Sequence, residues 1–293
     1  YVHINHKKPD YLNAKAKYFF KDLRDDYYLK KALKGVEYVI HDASMVGTGQ
    51  SMFNFHDFIN SNISGISSLW NVIITNKIKL KKFILASSVS IYGEGAYKCE
   101  IHGIFYPKNR KFFKIKNKWD IFCPKCNNIS LPIATPENSN KDSKSVYSLT
   151  KQHQEEISLM LGKTYGVETI ICRYFNCYGS RLSLNNPYTG VSSIFINNIM
   201  NNLNPVIFED GNQLRDYIHV SDLVNAKYLL LINKNLKFNT YNIGTGKPIS
   251  LLNLTEKINY INKSTVKPNI TNEYRVGDIR SSYANIKRLK GIK

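Results

Sequence analysis

Tyr147-Ser148-Leu149-Thr150-Lys151 sets a phenol and an ammonium four residues apart, which places both on one face of a helix. A cation beside a phenol favours the phenolate, so such a pair can take a proton from an alcohol near neutral pH if the site is dry. Y-x-x-x-K alone is a weak signal in a chain with 20 tyrosines, where an exposed helical pair is the ordinary outcome. Other strand ends strengthen it. Ser87-Ser88-Val89-Ser90-Ile91-Tyr92-Gly93 closes an apolar run, and ligands of open α/β sheets bind beyond the carboxyl ends of strands. A Ser88 hydroxyl there can hydrogen-bond a substrate oxygen beside the phenol. His41-Asp42-Ala43-Ser44 closes a second strand with small residues that admit a cofactor, and Asp22 follows a third, where its carboxylate can accept from an adenine amino group.

A separate constellation is built from soft ligands. Cys99 and His102 form C-x-x-H, Cys123 and Cys126 form C-x-x-C, and twenty residues lie between the pairs. Two short chelating pairs match a closed Cys3His zinc site, and a structural zinc gives a long loop the stability that its few apolar residues cannot. Four unrelated soft residues is the bland alternative. If one zinc is shared, the ligand atoms must converge within about 4 Å of one another. The remaining cysteines, Cys172 and Cys177, read as packing residues.

The elements that must position these groups alternate between strand and helix, which points to a doubly wound parallel α/β sheet of Rossmann type. Residues 18–20 read as a short strand, 26–34 as a helix closed by Gly35, and 36–41 as a buried strand. A helix fits 55–75, a strand 82–88, a helix 145–165 and a strand 167–173. Residues 95–136 break the alternation and read as an insertion, knuckle-like if it holds zinc. Beyond Gly179 short elements separated by polar turns suggest a smaller lobe, so residues 1–179 form the first domain and 180–293 mainly the second.

Forty-one Lys plus Arg against 22 Asp plus Glu give a net charge of +19, which ordinarily brings nucleic acid to mind. The cations are scattered among Asn, Ile and Tyr, so compositional drift explains the charge and nucleic acid is not the expected partner. The exception is residues 108–118, KNRKFFKIKNK, a basic and aromatic stretch suited to a single-strand platform or to a hairpin between the two knuckles. The longest apolar runs are strand-sized, short of the ~18 residues that span a bilayer. An odd number of cysteines argues against a disulfide framework and for a reducing cytoplasm.

Taken together, the chain resembles the NAD-dependent nucleotide-sugar epimerases and dehydratases of the extended short-chain dehydrogenase/reductase family. Nine collinear stretches carry the likeness: Asp22 to Asp25, His41 to Ser44, Asn62 to Gly65, Ser87 to Gly93, Tyr147 to Lys151, Arg173 to Gly179, Arg215 to Val220, Tyr241 to Gly244 and Arg275 to Asp278. The resemblance implies a catalytic base at Tyr147, a ribose-binding partner at Lys151 that lowers its pKa, and a sugar-oxygen ligand at Ser88. It implies NAD contacts from Asp22, Leu23, Ala43, Ser44, Asn62, Ser87 and Tyr174, and substrate contacts from Asn176, Arg215, Arg275 and Asp278. It also implies a homodimer through a bundle that includes the Tyr147 helix.

Within that family, dehydratases carry an Asp and a Glu where this chain has Ser88-Val89-Ser90-Ile91-Tyr92, so epimerisation through a 4-keto sugar is expected, with a dehydratase or reductase as the alternative. Residues 47–51, 186–191 and 209–216 are most similar to the branch that includes dTDP-L-rhamnose 4-epimerase. The family's glycine-rich pyrophosphate turn has no counterpart among the 21 residues before Asp22, which contain no Gly. The expectation is a chain lacking its first strand, that turn and the following helix, and binding NAD poorly as it stands.

Overall fold

The computed structural model describes residues 11–108, 119–182, 190–236, 239–274 and 278–292. The first element, α1 (Asp26–Ala32), starts where the Asp25 carboxylate accepts from the Tyr28 N–H. Lys30 and Lys31 face the negative end of its dipole, and Gly35, at φ +73°, turns the chain into β1 (Tyr38–His41). A continuous rod follows: α2 (Phe55–Ile59), a π turn at Asn60–Ser64 and α3 (Gly65–Thr75). Then come β2 (Lys82–Ser88), buried throughout, and the insertion with β3 (Ala96–Cys99), β4 (Gly103–Phe105), β5 (Ile121–Phe122) and β6 (Ile129–Ile133).

Helix α4 (Val146–Tyr165) opens on a capping box between Ser145 and Ser148 and stops at left-handed Gly166. The rest of the chain forms β7 (Glu168–Tyr174), β8 (Asn176–Tyr178), α5 (Val191–Met200), β9 (Val206–Ile207), β10 (Leu214–His219), α6 (Val220–Ile232), β11 (Thr240–Ile243), β12 (Pro248–Ser250), α7 (Leu251–Asn262), β13 (Asn269–Ile270), β14 (Ser281–Ser282) and α8 (Lys287–Lys290).

Four parallel strands in the order β1-β2-β7-β11 form the main sheet. Alternation along β2 divides the core: Phe83 and Leu85 pack with Leu69 and Trp70 of α3 on one face, while Ile84 packs with Leu223 and Leu230 of α6 on the other. Helices therefore cover both faces. A second sheet, β12-β10-β14 with β8 alongside β10, carries the substrate-side candidates, and the insertion forms its own sheet, β4-β3-β6-β5. Residues beyond Gly179 do not all stay in the second lobe, because α6 and β11 return to the parallel sheet.

Three further sequence expectations change. The strand expected to be buried over residues 36–41 is not, because β1 is an edge strand among the described residues whose Tyr38 and Ile40 are exposed. Residues 18–20 are not a strand: β1 is the sheet's edge among the described residues, so no neighbour offers a ladder, and the exposed rings of Tyr18 and Phe20 stack on each other. Cys172 is buried as expected, but Cys177 is exposed, because it sits on β8 past the end of the covered strand β7.

One buried ion pair ties the layers together. Arg173 of β7 donates from Nε and Nη2 to both oxygens of Glu155 on α4, each at 2.8 Å. Its Nη1 donates to the Tyr92 hydroxyl at 2.7 Å and the Glu137 carbonyl at 2.8 Å. Ser87 of β2 donates to the same carboxylate at 2.6 Å. Burial works against the Glu155 charge, and the Arg173 hydrogen bonds and charge overcome it and hold the pKa below the usual carboxylate value. Glu155→Gln leaves the guanidinium buried without its counter-charge, and roughly 3–5 kcal/mol of stability should be lost, read as a lower denaturant midpoint at neutral pH. An unchanged midpoint would remove the pair from this role.

Candidate active site

Three strand ends converge above α4. Register sets Ser87 beside Arg173 and Ser88 beside Tyr174, and β1 delivers His41 and Asp42 on the other flank. Tyr147, in the first turn of α4, lies against Phe58 at 6.4 Å between ring centroids, and the Ser88 hydroxyl at the end of β2 accepts from Ser90 N at 3.2 Å and from Ser90 Oγ at 2.9 Å. One turn along, Lys151 donates from Nζ to the Ala86 carbonyl at 2.9 Å. Both side chains are buried, so the three catalytic candidates share a dry site.

The electrostatics differ from expectation on one point. Burial raises the Tyr147 pKa, and the neighbouring Ser88 side chain opposes it; lowering by Lys151 is not what this geometry gives, because the ammonium faces the Ala86 carbonyl. Burial also pushes Lys151 down to about 8, against the pull of Asp42 and Glu155, so it remains a cation at neutral pH. Asp42 holds Lys227 at 2.5 Å and accepts from the Tyr174 hydroxyl at 3.2 Å, which fixes the Tyr174 ring beside the β1 end. Such a site can exchange a proton with a hydroxyl lying against Tyr147 and Ser88.

The other cofactor candidates divide by what their polar atoms touch. Asp22 is exposed, held well below the usual carboxylate range, at about 2, by Arg24 hydrogen bonds, while Leu23 packs toward Gly65 and the α3 face of the core. Ala43 is exposed and Ser44 half-buried on the loop after β1. Asn62 is buried: Oδ1 accepts from Met45 N at 2.7 Å, and Nδ2 donates to the Met45 carbonyl at 3.1 Å and to Thr150 Oγ1 at 2.9 Å. It shapes the Ala43–Ser44 loop from behind, as Ser87 acts behind Ser88.

On the substrate side, Asn176 donates to the Asp216 carbonyl at 3.1 Å and is in register with Tyr217. Arg215 spends three donor contacts on main-chain carbonyls: Nη1 reaches Leu214 at 2.8 Å and Arg280 at 3.3 Å, and Nη2 reaches Ile279 at 2.8 Å. Arg275 lies outside the described residues, and Asp278 begins the segment whose carbonyls hold Arg215. Sequence reading missed Tyr217, whose buried hydroxyl has no hydrogen-bond partner among the described residues. Its spacing from Arg215, two along one strand, puts both on one face and could have found it. Also missed was Arg280, paired with Asp210 and Glu209.

In the insertion the soft ligands do meet. Cys99 Sγ lies 3.6 Å from Cys126 Sγ and 3.8 Å from His102 Nδ1, and Cys123 Sγ lies 3.5 Å from that nitrogen. All four ligand atoms fall within 4.8 Å of one another, wider at the extreme than the expected 4 Å. Burial would raise the Cys123 thiol, but hydrogen bonds from the N–H groups of Cys126 and Lys125 and from neighbouring thiols bring it to about 6. Residues 109–118 of the basic stretch lie outside the described residues. Among the described residues no helix is long and apolar enough to cross a membrane.

The sequence profile of the NAD dependent epimerase/dehydratase family matches residues 3–110 and 124–244, with its break inside the insertion. A dTDP-L-rhamnose 4-epimerase of Burkholderia thailandensis is 26% identical over 288 residues, 97% of this chain and 78% of its own. A putative UDP-glucose 4-epimerase of Methanocaldococcus jannaschii is 30% identical over 283 residues, 96% of this chain and 79% of its own. The crystal structure of a Thermotoga maritima UDP-glucose 4-epimerase with UDP-glucose superposes with a TM-score of 0.77 at 25% identity, covering 98% of this chain and 81% of that one.

His41 offers a pH test of how dry the site is. Its ring stacks on Phe83 at 6.2 Å, and its Nε2 is buried without a partner among the described residues. Burial, then the Lys151 charge, lower its pKa from 6.5 to about 4 against the opposing pull of Asp42. The unfolded chain therefore takes the proton first as pH falls: the stability contribution is complete above pH 6.5 and is lost as pH drops through 4. The full change is about 3 kcal/mol. Urea midpoints between pH 7 and 4 should fall more steeply for the native sequence than for His41→Phe, and parallel curves would contradict the assignment.

Proposed function

The chain belongs to the NAD dependent epimerase/dehydratase family, and on that premise we propose that it inverts C4 of a nucleotide-activated sugar through a transient 4-keto intermediate. The carrying observation is the buried Tyr147 phenol one helical turn from the buried Lys151 ammonium, with Ser88 buried at the end of β2. The stretch after it, Val89-Ser90-Ile91-Tyr92, brings no carboxylate to act as the acid and base of a dehydration.

The residues present fit the cofactor. An ammonium has three donors, and Lys151 gives one to Ala86, which leaves two for a ribose; Asp22 suits the adenine, and Ala43, Ser44 and Tyr174 the path between. Asn62, Leu23 and Ser87 support that path from behind. Bound NAD supplies a reversible store for the two electrons and hydrogen removed from C4. Tyr147, acting as its phenolate, takes the C4 hydroxyl proton while Ser88 holds the same oxygen. The nucleotide end is kept by Asn176, Arg215, Tyr217, Arg275 and Asp278, so the keto sugar can turn and present its other face before Tyr147 returns the proton. The Tyr217 hydroxyl, without a partner among the described residues, suits a diphosphate oxygen beside Arg215.

Exposed Leu149 and Met160 of α4 and Phe55 and Ile59 of α2 suit a homodimer seam. Five free cysteines suit a cytoplasmic enzyme. We also infer that Cys99, His102, Cys123 and Cys126 hold one zinc ion, since neighbouring ligand atoms 3.5–3.8 Å apart match a tetrahedron with metal distances of ~2.0–2.3 Å. Four protein ligands leave no open position, so its role is structural.

Metal analysis of protein purified under reducing conditions should find about one zinc per chain, lost in Cys99→Ser with Cys126→Ser; no metal in the native sequence would refute the centre. For the reaction, Tyr147→Phe should lower kcat by about 10²–10⁴-fold with nucleotide-sugar binding retained. Turnover near that of the native sequence would remove Tyr147 from the role of base.

A further inference from the structure

The insertion and the C-terminal segment are locked together by one buried carboxylate. Glu94 stands just before β3 and is 6% exposed. Its Oε1 accepts from the main-chain N–H of Arg280 and, at 3.2 Å each, from the N–H of Ser281 and the hydroxyl of Tyr97. Charge-assisted bonds of this kind are about twice as strong as neutral ones.

Around it the two segments stay in register. Thr135, just past β6, accepts from Asn285 N at 3.0 Å and donates its N–H to the Tyr283 carbonyl at 2.8 Å. A Cβ at Gly95 would stand 2.9 Å from Thr135 Oγ1 and 3.3 Å from the Ser281 carbonyl, so a side chain there would press on both segments. The tethered stretch is the one whose Ile279 and Arg280 carbonyls hold the Arg215 guanidinium and which begins at Asp278. Its strand pairing is short, since β14 meets β10 only at Leu214↔Ser281 and Arg215↔Ser282, and beside Glu94 it is held by the Arg280 side chain on Glu209 and Asp210 and by the Leu214 N–H on the Arg280 carbonyl.

We propose that Glu94 is a positioning residue for the nucleotide end of the substrate: by pinning the N–H groups of Arg280 and Ser281 it sets the carbonyls that aim Arg215 and the place of Asp278. This rests on the nucleotide-sugar reading above. Glu94 acts through the main chain of residues 279–281, so its removal weakens capture of the nucleotide and leaves the chemistry at C4 in place.

The test measures UDP and dTDP affinity by titration calorimetry, and KM and kcat with a nucleotide sugar that the native sequence turns over. Glu94→Gln keeps the shape and loses the charge; it should weaken nucleotide binding and raise KM by about fourfold, and Glu94→Ala by about tenfold or more, with kcat within about twofold. A Glu94→Gln protein with native nucleotide affinity would overturn the positioning role alone, as would variants whose kcat falls while affinity holds. A native chain that binds neither UDP nor dTDP would overturn the nucleotide-sugar reading together with it.

Discussion

The Arg173–Glu155 pair is the constraint from which the site is built. Arg173 lies in the middle of the parallel sheet, and the carboxylate it holds belongs to α4, two turns beyond Tyr147 and one beyond Lys151. Residues 147, 151 and 155 share one helix face, so fixing Glu155 to β7 fixes how deep the other two reach toward β2. Ser87 completes the tie from β2, next to Ser88 at the strand's end. The same guanidinium reaches Tyr92 and the Glu137 carbonyl, at the two ends of the insertion. Asn242 of β11 continues the network, accepting from Tyr92 at 2.7 Å and donating its main-chain N–H to Glu137 at 3.0 Å. A buried pair whose guanidinium makes four hydrogen bonds is costly to break and demanding in geometry.

Dryness then sets the chemistry. Burial raises the Tyr147 pKa and lowers that of Lys151, against which Asp42 and Glu155 pull. Asp42 in turn is held by Lys227, so the charges at the β1 and β2 ends balance one another. Behind Tyr147, Asn62, Ser87 and Gln154 tie neighbouring elements together through their own hydrogen bonds.

Much of this was legible in the residues. The i, i+4 spacing of Tyr147 and Lys151 gave the shared face, the apolar run of residues 82–88 matched β2 from end to end, and the paired x-x spacing of Cys99, His102, Cys123 and Cys126 gave the cluster. What could not be read came from contacts distant in sequence. Residues 18–20 have strand composition, but a strand exists only with a neighbour. Arg215 reads as a phosphate ligand by residue type, yet its partners are carbonyls contributed some 65 residues later. Glu94 looks like an ordinary turn residue, and only the fold brings it to Arg280 and Ser281.

Transient oxidation at C4, with return of the same hydrogen, is the central claim. The most direct measurement is the fate of a deuterium placed at C4 of a nucleotide sugar that the enzyme converts. The account predicts that both epimers keep the label at C4 and that no NADH accumulates. Loss of deuterium to solvent, or NADH formed in proportion to product, would contradict it.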